Sequence, residues 1–389
     1  MDFELTEEQR ILSDTIYRWA RDELGPIAER VDEEDWMPPD FFAKAGEVGA
    51  LGVAIDPAYG GSGLDVMSEV LVAEQVSRIS PGLGLSAGAH SNLCAGNIAR
   101  NANEDQKQRY LPGLVEGTKV GALGLTEAGA GSDAMSIRTR AAAEGDVFVL
   151  NGSKMFITNG PISDVVLVYA KTEPEKGPHG ISAFIVEKGF AGFSVGPPIK
   201  KAGMRGSPTG ELFFDNCRVP ARNLVGQLNR GVAVMTRGLD IERVIVAGGC
   251  IGSARAALEA SIKYADQREQ FGKKIGRFQM IQAKLAEMYA LYEAARGLTY
   301  RAAVLAEGAK RGGKGTELTR LAAAAVLFAA EANSKICNEA VQIHGGYGYC
   351  LEFPVQRLWR DAKLMEIGAG TTEIRKLIIA RELLGKGGL

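Results

Sequence analysis

The chain reads as three packed parts, helical, then β, then helical again. Apolar residues recur at three-and-four spacing up to about residue 120 and again from about residue 230, whereas the stretch between them alternates short β-rich runs with Gly, Pro and Asn turns. At roughly 150 residues per domain, a chain of 389 residues also calls for more than one core. The expected division is an N-terminal all-α domain over 1–120, a middle antiparallel β domain over 121–229 and a C-terminal four-helix bundle over 230–389.

The elements follow in order. Thr6 with Gln9 is a capping-box start, and Ile11, Leu12, Ile16, Tyr17 and Ala20 continue it as an amphipathic helix. Further helices are expected over 39–49, 66–79, 86–101 and 103–116, the last opened by Asn103 as N-cap. Strand signals lie in the runs beginning at Val147, Asp164, Ser182 and Glu211, each bounded by turn residues. Long helical segments are then expected over 231–265, 278–310, 315–345, 355–365 and 372–384, broken at Gly272, Gly312-Gly313 and Gly345-Gly346. No internal repeat or low-complexity linker interrupts this order.

Composition narrows the chemistry. Forty-five Lys and Arg against 47 Asp and Glu give a net charge of −2, so no nucleic-acid partner or charged membrane surface is expected. Cys94, Cys217, Cys250, Cys337 and Cys350 are odd in number and contain no C-x-x-C pair. They read as buried free thiols in a reducing compartment rather than a disulfide or zinc framework. Only His90, His179 and His344 are present, without paired spacing, and no metal is expected. Catalysis must therefore rest on carboxylates or on a cofactor. The first residues show neither a basic n-region nor an apolar h-region, so no export signal is expected. The apolar runs 244–254 and 321–330 are too short for the ~20 residues of a bilayer span and read as buried core helices. The expected location is the cytoplasm, or the mitochondrial matrix for a mature eukaryotic chain.

Three glycine-rich stretches could approach a ligand. Gly124-Leu-Thr-Glu-Ala-Gly-Ala-Gly-Ser-Asp133 follows a strand signal, and its glycines let backbone N–H groups and the hydroxyls of Thr126 and Ser132 come close to an oxygen-rich ligand. It is neither a P-loop nor a helix-opening dinucleotide fingerprint. Gln342-Ile-His-Gly-Gly-Tyr-Gly-Tyr349 ends one helix, and Gly368-Ala-Gly-Thr-Thr-Glu373 precedes another whose N-cap is Thr371. Several such loops in one chain point to a large cofactor.

With Lys154-Met-Phe-Ile-Thr-Asn159, Arg268-Glu-Gln-Phe-Gly-Lys273 and Arg360-Asp-Ala-Lys363, these stretches form an ordered set that resembles the acyl-CoA dehydrogenases, FAD enzymes that desaturate thioesters. The resemblance runs over almost the whole chain. In most of that family a carboxylate stands before Gly-Thr in the last motif, where this chain has Ala369. In the isovaleryl-CoA dehydrogenase branch the base comes instead from a Gly-Leu-Asp-x-Glu-Arg helix, which this chain reproduces as Gly238-Leu-Asp-Ile-Glu-Arg243. Ile367-Gly-Ala-Gly-Thr371 and Gly88-Ala-His-Ser-Asn-Leu-Cys94 resemble the same branch. The nominated base is Glu242. Its place just before the apolar run 244–254 sets it at the edge of a buried face, where desolvation raises a carboxylate pKa; an ordinary helix Glu would instead pair with a neighbour such as Arg243.

The resemblance implies further roles. Leu123, Thr126, Gly131, Ser132, Phe156, Ile157 and Thr158 would line the isoalloxazine, Phe156 standing where the family usually has Trp. Arg268, Phe271 and Gln279 would hold the pyrophosphate and adenosine, with Gln342, Gly345 and Gly346 reaching the same cofactor from a neighbouring subunit of a homotetramer. Thr371 and Glu373 would complete the FAD site, while Ser132, Asp240, Arg243, Gly368, Ala369, Gly370 and Arg381 would face the acyl-CoA. The Ala369 N–H would stabilise enolate charge on the thioester oxygen. Electron-transferring flavoprotein is the implied electron acceptor.

Gly368 replaces the Tyr frequent in straight-chain enzymes and makes room for a branched, isovaleryl-like acyl group. Ala95-Gly96 and Met365 depart from the isovaleryl pattern and leave a bulkier citronellyl- or benzylsuccinyl-type chain as the alternative. An acyl-CoA oxidase and a non-catalytic CoA- or FAD-binding protein are the rival readings.

Overall fold

The computed structural model describes residues 4–310 and 315–385; the expected break at Gly312-Gly313 lies outside the described residues. Seven α-helices come first: α1 (Glu7–Trp19), α2 (Ala28–Glu33), α3 (Phe41–Glu47), α4 (Val66–Ile79), α5 (Pro81–Gly88), α6 (Asn97–Asn101) and α7 (Glu104–Val115). The expected capping box forms at Thr6 with Gln9, and the expected N-cap Asn103 proves to be a full capping box with Gln106; each such cap is typically worth ~1 kcal/mol. The helix expected over 86–101 begins earlier, at Pro81, whose missing N–H suits a first turn. Its middle, Ala89–Gly96, is π-helical.

Eight strands follow in one sheet: β1 (Gly121–Gly124), β2 (Arg140–Glu144), β3 (Val147–Thr158), β4 (Val165–Lys171), β5 (Ile181–Glu187), β6 (Phe193–Val195), β7 (Thr209–Pro220) and β8 (Leu224–Val225). The order is β6-β7-β3-β2-β4-β5-β8, with β1 beside β4. Most neighbours are antiparallel, as expected, yet β1 joins β4 in parallel, Gly121 to Val165 through Gly124 to Val168, and β2 touches β4 in parallel at Arg140 and Lys171. Both arise because the chain returns to the middle of the sheet through loops rather than hairpins. The strand signal at Val147 extends to Thr158, so Lys154 to Thr158 of the motif lie on the strand and Asn159 follows it at φ +63°.

The last part comprises α8 (Gly231–Gln267), a two-stranded hairpin of β9 (Glu269–Gln270) and β10 (Lys273–Lys274), α9 (Gln279–Lys310), α10 (Gly315–His344), α11 (Pro354–Met365) and α12 (Thr372–Leu384). All five expected helical segments form, and the short α11 and α12 both close on α10 of the bundle. Among the described residues only helix α8 is long and apolar enough, by length and composition, to cross a bilayer, but its apolar face is taken up by the bundle core.

That core does not stop at the C-terminal helices. Val66, Met67, Val70 and Leu71 of α4 join Val244, Ala247, Ile251 and Ala254 of α8 in one buried cluster. The two helices meet closely at Gly248 and Gly252, where a Cβ would sit 2.8 Å from the Val70 carbonyl oxygen and 2.1 Å from that of Glu74. A second set of ties joins the 81–101 helix to the sheet. Asn159 donates to the Ser86 and Gly121 carbonyls, and His90 accepts from the Gly121 N–H while its Nε2 donates to the Leu114 carbonyl. Burial holds His90 neutral, its pKa pulled down to about 4, so this bridge keeps one tautomer.

Candidate active site

Glu242 lies on the second turn past Gly238 of α8, which abuts Asn97 so tightly that a Cβ there would be 2.4 Å from Asn97 Oδ1. Its residue is 9% exposed. The expected ordinary partner is otherwise engaged: Arg243 Nη1 is 2.7 Å from Asp240 Oδ1, and Thr319 of α10 donates to Asp240 Oδ2 at 2.6 Å. Among the described residues no hydrogen bond or close ion pair holds the Glu242 carboxylate, although Arg243, Arg375 and Arg100 act on it through space. Burial outweighs those three cations and pushes the carboxyl up to about 7. A carboxylate that is buried, unclamped and poised near neutrality can exchange a proton with a ligand.

The loop between α11 and α12 faces this carboxylate through Arg375. That side chain is wholly buried, donates from Nη2 to the Gly368 carbonyl at 2.6 Å and from Nη1 to the Val326 carbonyl at 3.4 Å. The loop itself folds back, Gly368 N–H to the Leu364 carbonyl and Thr372 N–H to the Glu366 carbonyl, leaving Ala369 at φ +55° and Gly370 at φ +86°. In this left-handed turn the Ala369 N–H meets no acceptor among the described residues. Thr371 caps α12 as expected, accepting from Ile374 N–H. Glu373 is exposed and its carboxyl is held low, first by the backbone at the helix start. Arg381 sits exposed in the last turn of α12, ~15 Å of helix beyond Thr371.

On the sheet, Leu123 pairs with Leu167 near the end of β1, and Thr126 is brought to β3 by the Met155 N–H, which donates to its carbonyl at 2.8 Å. Gly131 and Ser132 are exposed on the following loop. The register slips between Lys154 and Ile157, and this bulge puts Phe156 at φ +59° with 61% of its surface exposed. Ile157 turns into the core beneath it, while Thr158 stays half-buried at the strand end. Two residues of these motifs to which sequence reading gave no role hold the arrangement. Lys154, fully buried, donates to the Leu125 carbonyl and to Glu127 Oε1 at 2.8 Å, and Glu127 also accepts from the Thr139 and Arg138 N–H groups. Burial pulls the Lys154 ammonium down to about 8 despite that partner.

A third group gathers at the far end of α8. Arg268 ends that helix and places its guanidinium 5.3 Å from the Tyr347 ring centroid. Arg268, Gly345, Gly346 and Tyr347 line one open pocket of about 440 Å³. Phe271 occupies the turn of the β9–β10 hairpin at φ +52° and is 93% exposed, and Gln279 and Gln342 are exposed nearby at helix ends. Sequence reading assigned only the Gln342 set to a neighbouring subunit; in the structure Arg268 lines the same pocket as Gly345 and Gly346 of its own chain.

The sequence reading also missed Arg375 and Arg100. An arginine inside the apolar Ile374 to Ile379 stretch of α12 is the signal that marks the first. Arg100 is identified only by the fold, which turns it back over Gly96.

Comparison with known proteins agrees with this layout. Residues 6–118, 122–217 and 229–384 match the acyl-CoA dehydrogenase N-terminal, middle and C-terminal domains in turn. The mitochondrial isovaleryl-CoA dehydrogenase of Pongo abelii is 45% identical over 381 residues, covering 97% of this chain and 89% of that protein. The butyryl-CoA dehydrogenase structure from Megasphaera elsdenii superposes with a TM-score of 0.95 at 39% identity, covering 99% of this chain and all of that one. The structure of PigA with FAD and proline superposes with a TM-score of 0.94 at 31% identity over 98% of this chain and 99% of its own. The chain belongs to the acyl-CoA dehydrogenase family, whose members are FAD-dependent enzymes. Its residues fit that cofactor: Phe156 and Phe271 offer exposed rings to an aromatic ligand, and Arg268 beside paired glycines offers a cation and open backbone to a pyrophosphate.

Proposed function

We propose, with that family membership as the premise, that the enzyme converts a branched, isovaleryl-like acyl-CoA into its trans-2-enoyl-CoA, with Glu242 as the base. The observation that carries this is the pairing of a buried, unclamped carboxylate near neutral pKa with the unengaged N–H of Ala369. Glu242 takes the α-proton. The Ala369 N–H steadies the charge that develops on the thioester oxygen, and it can do so although the side chain there carries no acid. FAD, when bound, supplies the acceptor for the β-hydride.

Leu123, Thr126, Gly131, Ser132, Phe156, Ile157, Thr158, Thr371 and Glu373 are assigned to the flavin side of the cofactor. Arg268, Phe271, Gln279, Gln342, Gly345 and Gly346 are assigned to its pyrophosphate and adenosine side. Helix α8 supports a split of these sets between copies. Its first residue packs on Ile181 of the sheet, and its last, Gln267, closes a helix of 37 residues, ~55 Å along the axis. On this reading the hairpin group of one chain serves the flavin of another in the proposed homotetramer. Asp240, Arg243, Gly370 and Arg381 are assigned to the acyl-CoA. At Gly368 an added Cβ would find its nearest neighbour, the Leu364 carbonyl, at 3.5 Å, so no packing demand explains the missing ring and space remains for a branch. Reoxidation by electron-transferring flavoprotein completes the cycle.

The test is Glu242→Gln. Isovaleryl-CoA added without oxygen should bleach the flavin of the wild-type enzyme and leave that of the variant yellow, with FAD content equal in both. Bleaching at the wild-type rate in the variant would remove Glu242 from the reaction.

A further inference from the structure

Phe156 stands in a backbone state that its own chemistry does not favour. It is aromatic, sits at φ +59° in the left-handed region and leaves 61% of its surface exposed, so neither intrinsic preference nor packing rewards the bulge that carries it. Such strain persists only where the surroundings fix it. The register of β3 against β7 slips between Lys154 and Ile157, which makes Lys154 the last residue held in the ladder before the bulge.

Lys154 has no exposed surface. Its ammonium reaches across to the loop after β1, donating to the Leu125 carbonyl at 3.0 Å and to Glu127 Oε1 at 2.8 Å. Between those two, the Thr126 carbonyl accepts from the Met155 N–H at 2.8 Å, so three consecutive residues of the loop are gripped by two consecutive residues of β3. Glu127 in turn accepts from the Thr139 N–H at 2.9 Å, the Thr139 hydroxyl at 2.6 Å and the Arg138 N–H at 2.6 Å, and it exchanges two backbone bonds with Ala130. β3 passes close against this knot, since a Cβ at Gly152 would lie 2.6 Å from Thr139 Oγ1.

A buried ion pair is weak evidence for stability, because desolvation of both charges offsets most of their attraction, and an apolar pair of similar volume would fill the space as well. An apolar pair would not, however, bind the amides of residues 138 and 139 or the carbonyl of residue 125. What the charges supply is geometry, and it is applied where the loop bearing Thr126 meets the strand bearing Phe156.

We propose that the Lys154–Glu127 pair is a positioning element of the flavin site, fixing Thr126 and Phe156 relative to each other so that both meet one isoalloxazine ring in a single orientation. The proposal rests on the assignment of Thr126 and Phe156 to the flavin. Lys154 and Glu127 act through these neighbours.

The test compares wild type with Lys154→Met/Glu127→Gln, which removes both charges together and strands neither, in the full chain stripped of FAD and then reloaded. The Kd for FAD should rise roughly tenfold, the worth of one aromatic contact, while the Kd for ADP, a probe of the pyrophosphate and adenosine end, stays unchanged. The visible circular dichroism of the reloaded flavin should change as well. Phe156→Ala should by itself raise the FAD Kd and alter the dichroism, and in that background removal of the charges should add little, because both act on one contact. An unchanged FAD Kd and dichroism in the double variant, equal losses of FAD and ADP affinity, or effects that simply add to those of Phe156→Ala would each overturn the positioning role. If instead Phe156→Ala leaves the FAD Kd and the dichroism untouched, the flavin assignment itself is wrong. Should the double variant not fold, Thr139→Val decides, since it deletes only the hydroxyl bonds to Glu127 and to the Ser153 carbonyl. A raised FAD Kd and altered dichroism with an unchanged ADP Kd support the proposal there, and no change in the first two overturns it.

Discussion

Replacing Glu242 by Gln perturbs two quantities with one atom. The carboxyl rises from its ordinary 4.5 to about 7 on burial, which corresponds to about 3 kcal/mol against the ionised form at 1.36 kcal/mol per tenfold. Because the folded state holds this proton more tightly than the unfolded chain does, stability falls as pH climbs from about 4.5 to about 7 and stays lower above that. The amide variant has no proton to lose. Its thermal midpoint should match wild type near pH 4.5 and exceed it by about 2–4 °C above pH 7.5, for about 3 kcal/mol spread over a chain of this size. The wild-type kcat/KM for acyl-CoA should rise tenfold per pH unit and level off above about 7, whereas the variant should lack this rise and lie ~10²–10⁴-fold below the wild-type plateau. Differential scanning fluorimetry and anaerobic stopped-flow flavin reduction read the two effects. A pH-independent wild-type kcat/KM, or a variant no more stable at alkaline pH, would refute the claim that a buried, costly carboxylate is the base.

Arg375→Gln removes a cation that lowers the Glu242 pKa and a bond to the Gly368 carbonyl; the midpoint of the kcat/KM profile should move above 7 and the rate at neutral pH should fall, with FAD still bound. Glu127→Gln strands the buried Lys154 ammonium, and a loss of ~3–5 kcal/mol in stability, read by urea denaturation, is expected. Lys154→Met with Glu127→Gln together should recover much of that loss. Among the five cysteines only Cys350 is exposed, and burial pushes the thiols of Cys94, Cys250 and Cys337 up to about 12. Brief alkylation of the native enzyme should add one label, found at Cys350 by peptide mass mapping; labelling at Cys94 without unfolding would contradict this packing.

Much of the fold was legible because local signals and tertiary demand agree. The boxes at Thr6 and Asn103 and the cap at Thr371 are written in single residues, and apolar periodicity marks helices such as residues 66–79 and 231–265 to within a few positions. What stayed hidden depends on distant partners. Strand β1 carries only Gly-Ala-Leu-Gly, and nothing in those four residues says that they lie parallel to β4. The π-helical turn at Ala89–Gly96 is set by the ties of Ser86, His90 and Asn159 to the sheet, not by its own propensities. At the site, Glu242 could be nominated from its motif, but its isolation from Arg243 could not, because that depends on Asp240 and Thr319 meeting across two helices. Arg268 and Gly345 lie 77 positions apart and share a pocket only once α8 and α10 are packed.

The proposed base stands on a 37-residue helix, while the donor N–H stands on a glycine-flanked turn held by the carbonyl of residue 368. Proton chemistry and the shape of the cavity mouth are thereby carried by separate pieces of chain. On the proposed assignment, side chains at 367 and 368 could be exchanged for wider or narrower thioesters while the Ala369 N–H, the Gly368 carbonyl held by Arg375 and the acid on α8 stay in place, whereas an enzyme bearing its carboxylate in that turn must alter both at once. For engineering, the short turn is the place to vary and the rod is the place to leave alone.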